Sequence, residues 1–516
     1  MTGAPAGATG PDIAPLRQLA AVCAETGPLL TGPEAAAVAS VARRLAEPQL
    51  RLAVGGRLNA GKSTLVNALL GQCLAGTGAT ECTRLVTWFR HGPQNRVRVV
   101  LRDGSEHQVP GAPGGGVPRE PAALGSAADD IAELVVEAPN DALRQGFRIV
   151  DTPGMDSLSG LDEAALAALG RADALLYVMP HPGEGDQEAL EALRRQAGQA
   201  VPAAAVLGVL SRIDALGRGG GDPWPTARRL AGRYAGRLSG LVADVVPVAG
   251  LLAQAVCCER YTEADTEAVR LLAARPAAEL GEALYSADSF LSWSAGPLTA
   301  AERERLLSLL GRWGIQEAVN AYDGEPTSAL LERLRTRSGV AALHERLREE
   351  FLDRADRLRA ATAFRALHAV ARTLPATGPA DALHSALHRV GRHPVLRQAA
   401  LAPALTAWAS GRLPLDEEHA AALSSLARGA TAAACLGLDP AASPERIAAR
   451  AAEEARRWRL LEFQPPRLVG DHARAARELC EALYFTLRGP GPDAALGAEP
   501  DAAVRPGPLR GRGRRR

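Results

Sequence analysis

Short apolar runs alternate with polar turns and amphipathic stretches from residue 51 onward, and the spacing changes character once along the chain. Ahead of that region, 1–13 reads as disordered, and helical patterns stand near Ala14–Glu25 and Pro33–Glu47. The runs Leu52–Val54, Arg84–Phe89, Arg96–Arg102, Glu133–Glu137, Phe147–Val150, Ala174–Met179, Ala205–Leu210 and Val245–Val248 are β-branched or apolar and are separated by turns or helices. This pattern predicts an α/β domain over 50–258 with a mainly parallel sheet. The Gly- and Pro-rich interval Asp103–Ala128 reads as a loop. After Glu259 strand signals end, and helical spacing predicts an elongated all-α bundle or stalk over 259–488.

Local signals punctuate that helical half. Thr299 and Glu302 form a capping box, Ser338 reads as an N-cap, and Ser443-Pro444-Glu445 places proline at a first helical position. The longest pattern runs through Val340, Leu343, Leu347, Phe351, Ala355, Leu358, Ala361, Phe364, Leu367, Ala371 and Leu374. Its three- and four-residue steps give one apolar face on a single helix of ~50 Å. The helices of 1–49 are expected to pack on this helical neck. Residues 489–516 read as a disordered basic tail, ending in Arg510-Gly511-Arg512-Gly513-Arg514-Arg515-Arg516.

Composition narrows the classes. A net charge of +1 over 516 residues gives no global pull toward nucleic acid, and with aromatics at 4% the basic tail has little to stack on bases. The seven cysteines, Cys257 and Cys258 adjacent among them, show no C-x-x-C spacing or paired framework, and they read as reduced thiols of the cytoplasm. Residues 1–20 lack a basic n-region, so no signal peptide is read there. The longest apolar run, Val245–Cys258, is short of the ~20 residues that span a bilayer, which leaves only peripheral membrane contact. His384 and His388 stand four apart with no acidic or cysteine ligand on that turn, and they read as a solvated helix face.

The candidate chemistry centres on Gly56-Arg57-Leu58-Asn59-Ala60-Gly61-Lys62-Ser63, a Gly-rich turn between a strand and a helix. In such a phosphate-binding loop Gly56, Asn59, Ala60 and Gly61 bring backbone N–H groups to a nucleotide. Lys62 reaches the β- and γ-phosphates, Ser63 ligates Mg²⁺, and Thr64 continues the helix start. Lys62 is the sole lysine of the chain; the rest of its 59 basic residues are arginine. A compact ammonium between phosphates is not replaced by a planar guanidinium, so the exception falls where the chemistry requires it. Asp151-Thr152-Pro153-Gly154 has the D-x-x-G form, in which the carboxylate of Asp151 holds Mg²⁺ through water and the N–H of Gly154 senses the γ-phosphate. Thr83 is placed to give Mg²⁺ a second hydroxyl, with Thr80 as the competing choice.

Base choice rests on Ser211-Arg212-Ile213-Asp214, directly after an apolar strand. In GTPases the equivalent stretch is Asn/Thr-Lys-x-Asp, whose Asp accepts two hydrogen bonds from guanine. Asp214 fits that role and Arg212 stacks in place of lysine. Val248-Ala249-Gly250 follows a further strand, with Ala249 in the loop that supports the base.

Together these motifs resemble those of the bacterial dynamin-like GTPases, in particular the isoniazid-inducible type of actinobacteria. The resemblance is carried by Gly-Lys-Ser-Thr-Leu-Val-Asn-Ala-Leu at 61–69, Glu-Cys-Thr-Arg-Leu-Val-Thr-Trp-Phe-Arg at 81–90, Leu-Ser-Arg-Ile-Asp at 210–214 and Val-Val-Pro-Val-Ala-Gly-Leu-Leu-Ala at 245–253. It continues more weakly through 338–374 and covers most of 50–375. It implies a GTPase head, a helical neck or trunk, and a tip that touches lipid. It also implies GTP and Mg²⁺ as cofactors, and pairing of heads as a homodimer or with a second dynamin-like protein. The implied work is remodelling or repair at the inner face of the cell membrane by a cytoplasmic, peripherally bound protein. One departure stands out: Leu58 and Asn59 occupy the positions of the Gln and Ser of the eukaryotic dynamin loop, and Leu58 cannot orient water. A weakly hydrolysing GTP-binding subunit that serves an active partner is therefore the alternative reading. For lipid contact the sequence offers Pro375–Leu413, where Arg389, Arg392, His393 and Arg397 flank Val395 and Leu396 and an apolar run reaches Trp408. The same spacing of Leu396, Leu401, Leu405 and Trp408 also fits a buried stripe of a bundle helix.

Overall fold

The computed structural model describes residues 14–76, 85–112, 115–118, 121–153, 163–180, 186–191, 205–216, 221–238, 241–375, 378–409, 411–465 and 467–488. The calls on 1–13, Thr80, Thr83, Gly154 and the tail 489–516 lie outside these residues. Among the described residues nine strands form one sheet: β1 Leu50–Gly56, β2 Thr87–His91, β3 Arg96–Leu101, β4 Glu106–Pro110, β5 Ile131–Ala138, β6 Phe147–Asp151, β7 Ala174–Met179, β8 Val206–Leu210 and β9 Val245–Pro247. Their order is β4-β3-β5-β2-β6-β1-β7-β8-β9. From β6 across to β9 every pairing is parallel. β2 runs antiparallel to β6 but parallel to β5, and β3 is antiparallel to both its neighbours.

The sheet is thus mixed, with a parallel half that carries the nucleotide motifs. β1, β7 and β8 are nearly continuous buried apolar runs, as strands covered on both faces must be. The interval read as a loop, Asp103–Ala128, contains β4. That strand alternates exposed and half-buried residues at the sheet edge and ends on Pro110, so it has no apolar run to announce it.

The helical half follows its cap signals in most places. Thr299 and Glu302 exchange capping-box hydrogen bonds, at 2.7 Å to the Thr299 N–H and 3.3 Å to the Glu302 N–H, and Ser443 caps the helix Pro444–Glu462. Ser338 differs: it closes the helix Thr327–Ser338, and Gly339 sits between it and the helix Val340–Glu350. The single long helix expected over 340–374 is broken. Phe351 leaves helical geometry, a short 3-10 turn spans Leu352–Arg354, and a second helix runs Ala355–Thr373. Phe351 is fully buried, so the apolar spacing runs on through a break in the backbone.

The described residues form three apolar cores. The largest joins the sheet to the helices that follow it, as far as Leu358. The second gathers Leu16, Leu19, Val22, Val38 and Val41 of the two leading helices with Ala363, Leu367, Leu383, Leu387 and Leu396, so those helices pack on the helical half. The third lies within 401–483 and is centred on Trp458. These cores overturn the Pro375–Leu413 lipid surface: Leu396, Leu401 and Leu405 are buried, Arg397 pairs with Glu478 and Arg389 with Glu25. The stripe is bundle core, because its apolar face meets neighbouring helices.

Candidate nucleotide site

The phosphate loop joins β1 to the helix Lys62–Leu70. Gly56 ends β1 with φ 144°, and a Cβ there would stand 2.2 Å from the carbonyl oxygen of Val178 on β7, so only glycine fits. Asn59 (φ 57°) and Gly61 (φ 91°) are left-handed. Such turns curl a chain so that consecutive N–H groups gather in an anion-binding concavity at the helix start. Lys62 is buried, and its Nζ donates to the carbonyl oxygens of Gly56 at 3.1 Å and Arg57 at 3.0 Å, so the ammonium lies across the loop. Thr64 is half-buried, with its methyl facing the start of the helix Gly250–Cys257.

Parallel pairing of β1 with β6 sets Asp151 beside Val54 and carries its carboxylate to the loop. Ser63 Oγ donates to Asp151 Oδ2 at 2.7 Å. Oδ1 of the same carboxylate is buried and has no hydrogen-bond partner among the described residues. Burial pushes the Asp151 carboxyl up to about 6, against the lowering effects of the Ser63 hydrogen bond and the Lys62 charge. A hydroxyl and a carboxylate with an unsatisfied oxygen form a hard oxygen donor set that fits Mg²⁺. Thr152 fastens this strand end, its Oγ1 donating to Val54 O at 2.9 Å.

The Ser211–Asp214 stretch lies at the end of β8 and is tied to the phosphate loop directly. Ser211 Oγ donates to Ala60 O at 2.7 Å, and the Ser211 N–H donates to Met179 O at 3.0 Å. Arg212 is exposed in the left-handed region (φ 51°), and Asp214 is half-buried in the turn Ile213–Ala215. Burial raises the Asp214 carboxyl above its ordinary range, against its own backbone hydrogen bond and the Arg212 charge. Ala249 is buried at the start of the helix Gly250–Cys257. The described part of the predicted set therefore converges on the C-terminal ends of β1, β6, β8 and β9.

Two features escape a reading of the sequence. The Ala249 N–H donates to the Ser338 carbonyl at 2.9 Å, which docks the elbow between two bundle helices onto the base-side loop. That bond joins main-chain atoms and leaves no mark on residue type. Leu58 is 54% exposed, an apolar side chain in the phosphate loop that reaches solvent. Its identity is plain in the sequence, but its exposure is a property of the fold.

The dynamin family pattern matches residues 52–212. The isoniazid-induced protein IniC of Mycobacterium tuberculosis is 37% identical over 439 residues, covering 81% of this chain and 86% of that protein. The isoniazid-induced protein IniA of the same species is 32% identical over 172 residues, 32% of this chain and 26% of that one. A bacterial dynamin-like protein of Nostoc punctiforme is 30% identical over 149 residues, 27% of this chain and 21% of its own length. The shorter matches reflect likeness in one part of the chain, whereas the first runs through the helical half as well.

Proposed function

The chain belongs to the bacterial dynamin-like GTPases of the isoniazid-induced type, and from that premise we propose that it binds GTP with Mg²⁺, hydrolyses it slowly, and acts peripherally on the inner face of the cell membrane in remodelling or repair. The observation that carries the nucleotide part is the convergence of Lys62, the Ser63–Asp151 pair with its unsatisfied Oδ1, and the Ser211–Ala60 bond on one end of the parallel strands. Ser63 Oγ would hold Mg²⁺ directly and Asp151 through water. Bound there, the ion neutralises charge on the phosphate oxygens. Lys62 exchanges its two loop carbonyls for phosphate oxygens, and the loop N–H groups bind the remainder. Asp214 accepts from guanine, and Arg212, exposed beside it, stacks on the base.

Leu58 supports slow turnover, because a water attacking the γ-phosphate finds no side-chain partner at that position. A second head packed against this face would cover Leu58 and supply the missing group, as a homodimer or with a second dynamin-like protein. The same residue favours the alternative, a weakly hydrolysing GTP-binding subunit that regulates an active partner. Among the described residues no helix is long and apolar enough to cross a membrane. Turnover measured against protein concentration, with co-sedimentation on vesicles with and without GTP, tests the proposal. The expected result is low basal turnover that rises with concentration and protein that pellets with vesicles. High turnover independent of concentration contradicts the role given to Leu58. Turnover that stays near zero until a second dynamin-like protein is added selects the alternative.

A further inference from the structure

Two thiols meet where two helices of the nucleotide site end. The phosphate helix, Lys62–Leu70, begins at the phosphate loop and stops at Gly71, whose left-handed geometry (φ 65°) turns the chain toward Cys73. The base-side helix, Gly250–Cys257, begins beside Ala249 and ends on Cys258. The two ends are in contact, since a Cβ on Gly71 would stand 3.5 Å from Cys257 O. Gln254 and Cys258, four residues apart, share one face of the base-side helix. Gln254 Nε2 lies 3.8 Å from Cys73 Sγ, and a side-chain hydrogen bond joins Cys258 to Cys73. Cys258 Sγ also donates to Asn67 O at 3.2 Å, a carbonyl in the last turn of the phosphate helix.

Both sides of this contact are held in place. Asn67 Nδ2 donates to Ala75 O at 3.0 Å, its Oδ1 accepts from the Ala75 N–H at 2.7 Å, and the Val117 N–H donates to Leu74 O at 3.1 Å, which fixes the turn that carries Cys73. Opposite, Gln254 is buried, and Glu259 enters the left-handed region (φ 51°) directly after Cys258. Cys257 belongs to a different environment, beside the charges of Arg335 and Glu332. Among the described residues no three His, Cys, Asp or Glu side chains stand where they could hold a metal ion, so these thiols are not part of a ligand set there. Cys73 is exposed and Cys258 half-buried. The Cys73 contact first, and burial after it, push the Cys258 thiol up, so it stays protonated at neutral pH and Cys73 is the sulfur that meets an oxidant.

We propose that Cys73 and Cys258 form a reversible peroxide-responsive site, closing to a disulfide that locks the phosphate helix to the base-side helix. The Cys73 thiolate attacks one oxygen of hydrogen peroxide and the O–O bond breaks. Cys73 becomes a sulfenic acid, the peroxide is reduced, and the departing hydroxide takes up the proton that Cys73 released. Cys258 then attacks the Cys73 sulfur, the S–O bond breaks, and the hydroxide leaves with the Cys258 proton as a second water. Two thiols and one peroxide thus give one disulfide and two waters. A disulfide of this kind suits a reducing compartment, where such bonds are transient and responsive. It also stops the oxidation of Cys73 at a stage that thiols reverse, ahead of the sulfinic acid that they do not.

The test exposes the reduced full chain to hydrogen peroxide, with C73S, C257S and C258S alongside and C258A as a second removal of the inner sulfur. Peptide mapping without reduction is expected to find Cys73 joined to Cys258 in wild type and in C257S, and dithiothreitol to reverse the bond. The thermal midpoint of the oxidised wild type should rise by about 5 °C or more, as closure of a long loop of chain implies. C73S and C258S should show no rise. In C258S and C258A, Cys73 should pass on to sulfinic acid, which dithiothreitol leaves in place. A disulfide from Cys73 to Cys257 or to a second copy of the chain overturns the assignment. So does equal sulfinic acid on Cys73 in wild type and the Cys258 variants, and so does an oxidised wild type whose midpoint does not move.

Discussion

Replacing Ser211 with alanine removes one oxygen atom and separates two loops that the fold holds together. The Ser211 hydroxyl donates to Ala60 O at 2.7 Å, and both residues are buried, Ser211 at 6% and Ala60 at 0% exposure. The bond itself is worth about 1 kcal/mol net, and leaving the Ala60 carbonyl unsatisfied in the interior puts the cost of its removal at about 1–3 kcal/mol. The expected loss of stability is about 2 kcal/mol, read as a shift in the urea midpoint with an unchanged slope. Since the bond ties the base-side loop to the phosphate loop, part of that energy also enters nucleotide binding. If all of it did, GTP affinity would fall about 30-fold, the upper bound for calorimetric titration. Ser211→Thr retains the hydroxyl and should recover most of both quantities. Lost stability with unchanged GTP affinity would reduce the bond to a structural tie. No change in either would refute the reasoning.

Asp214→Asn should turn base preference from guanine toward xanthine, because the amide offers a donor where the carboxylate accepts, and competition among GTP, XTP and ATP reads it; a variant that still prefers GTP removes Asp214 from the role. Asp151→Asn tests the buried carboxylate. Its carboxyl lies at about 6 in the folded chain against an ordinary value of 3.8, so the folded state holds the proton more tightly than the unfolded state. Its contribution to stability is fully present below about pH 4 and is lost as pH rises through 6. The uncharged variant should therefore be more stable than wild type at pH 7, by up to about 3 kcal/mol, while losing the Mg²⁺ dependence of GTP binding; equal stability across pH 4 to 7 would contradict the assigned burial. Gly56→Ala should fail to fold or lose several kcal/mol, since a Cβ 2.2 Å from Val178 O leaves both backbones to give way. A Gly56→Ala protein with a wild-type thermal midpoint would show that β1 and β7 separate at little cost.

Chemistry that depends on contiguous residue types was readable before any coordinates. The glycines and lysine of 56–63, Asp151 at a strand end and Asp214 after an apolar strand each declare themselves locally, and parallel pairing of β1, β6, β7, β8 and β9 then brings them together. What was not readable depends on who packs against whom. Phe351 keeps the helical spacing because it is buried, although the backbone breaks there. The edge strand β4 lacks an apolar face of its own. Leu401 and Leu405 face a neighbouring helix, whereas Leu460 and Phe463, of the same residue types, face outward at a turn. Periodicity ranks all of these alike, and only the tertiary arrangement separates core from surface.

The central claim is a Mg²⁺-dependent guanine-nucleotide site built around one lysine. Isothermal titration of wild type and Lys62→Ala with GTP and ATP, each with and without Mg²⁺, tests it most directly. The ammonium that now lies within 3.1 Å of two loop carbonyls is the sole lysine of the chain, so no neighbouring lysine can take its place. Wild type is predicted to bind GTP in preference to ATP, more tightly with Mg²⁺, and the variant to lose at least about two orders of magnitude in affinity, equivalent to ~3 kcal/mol. Unchanged GTP affinity in Lys62→Ala, or equal binding of ATP by the wild type, would contradict the account.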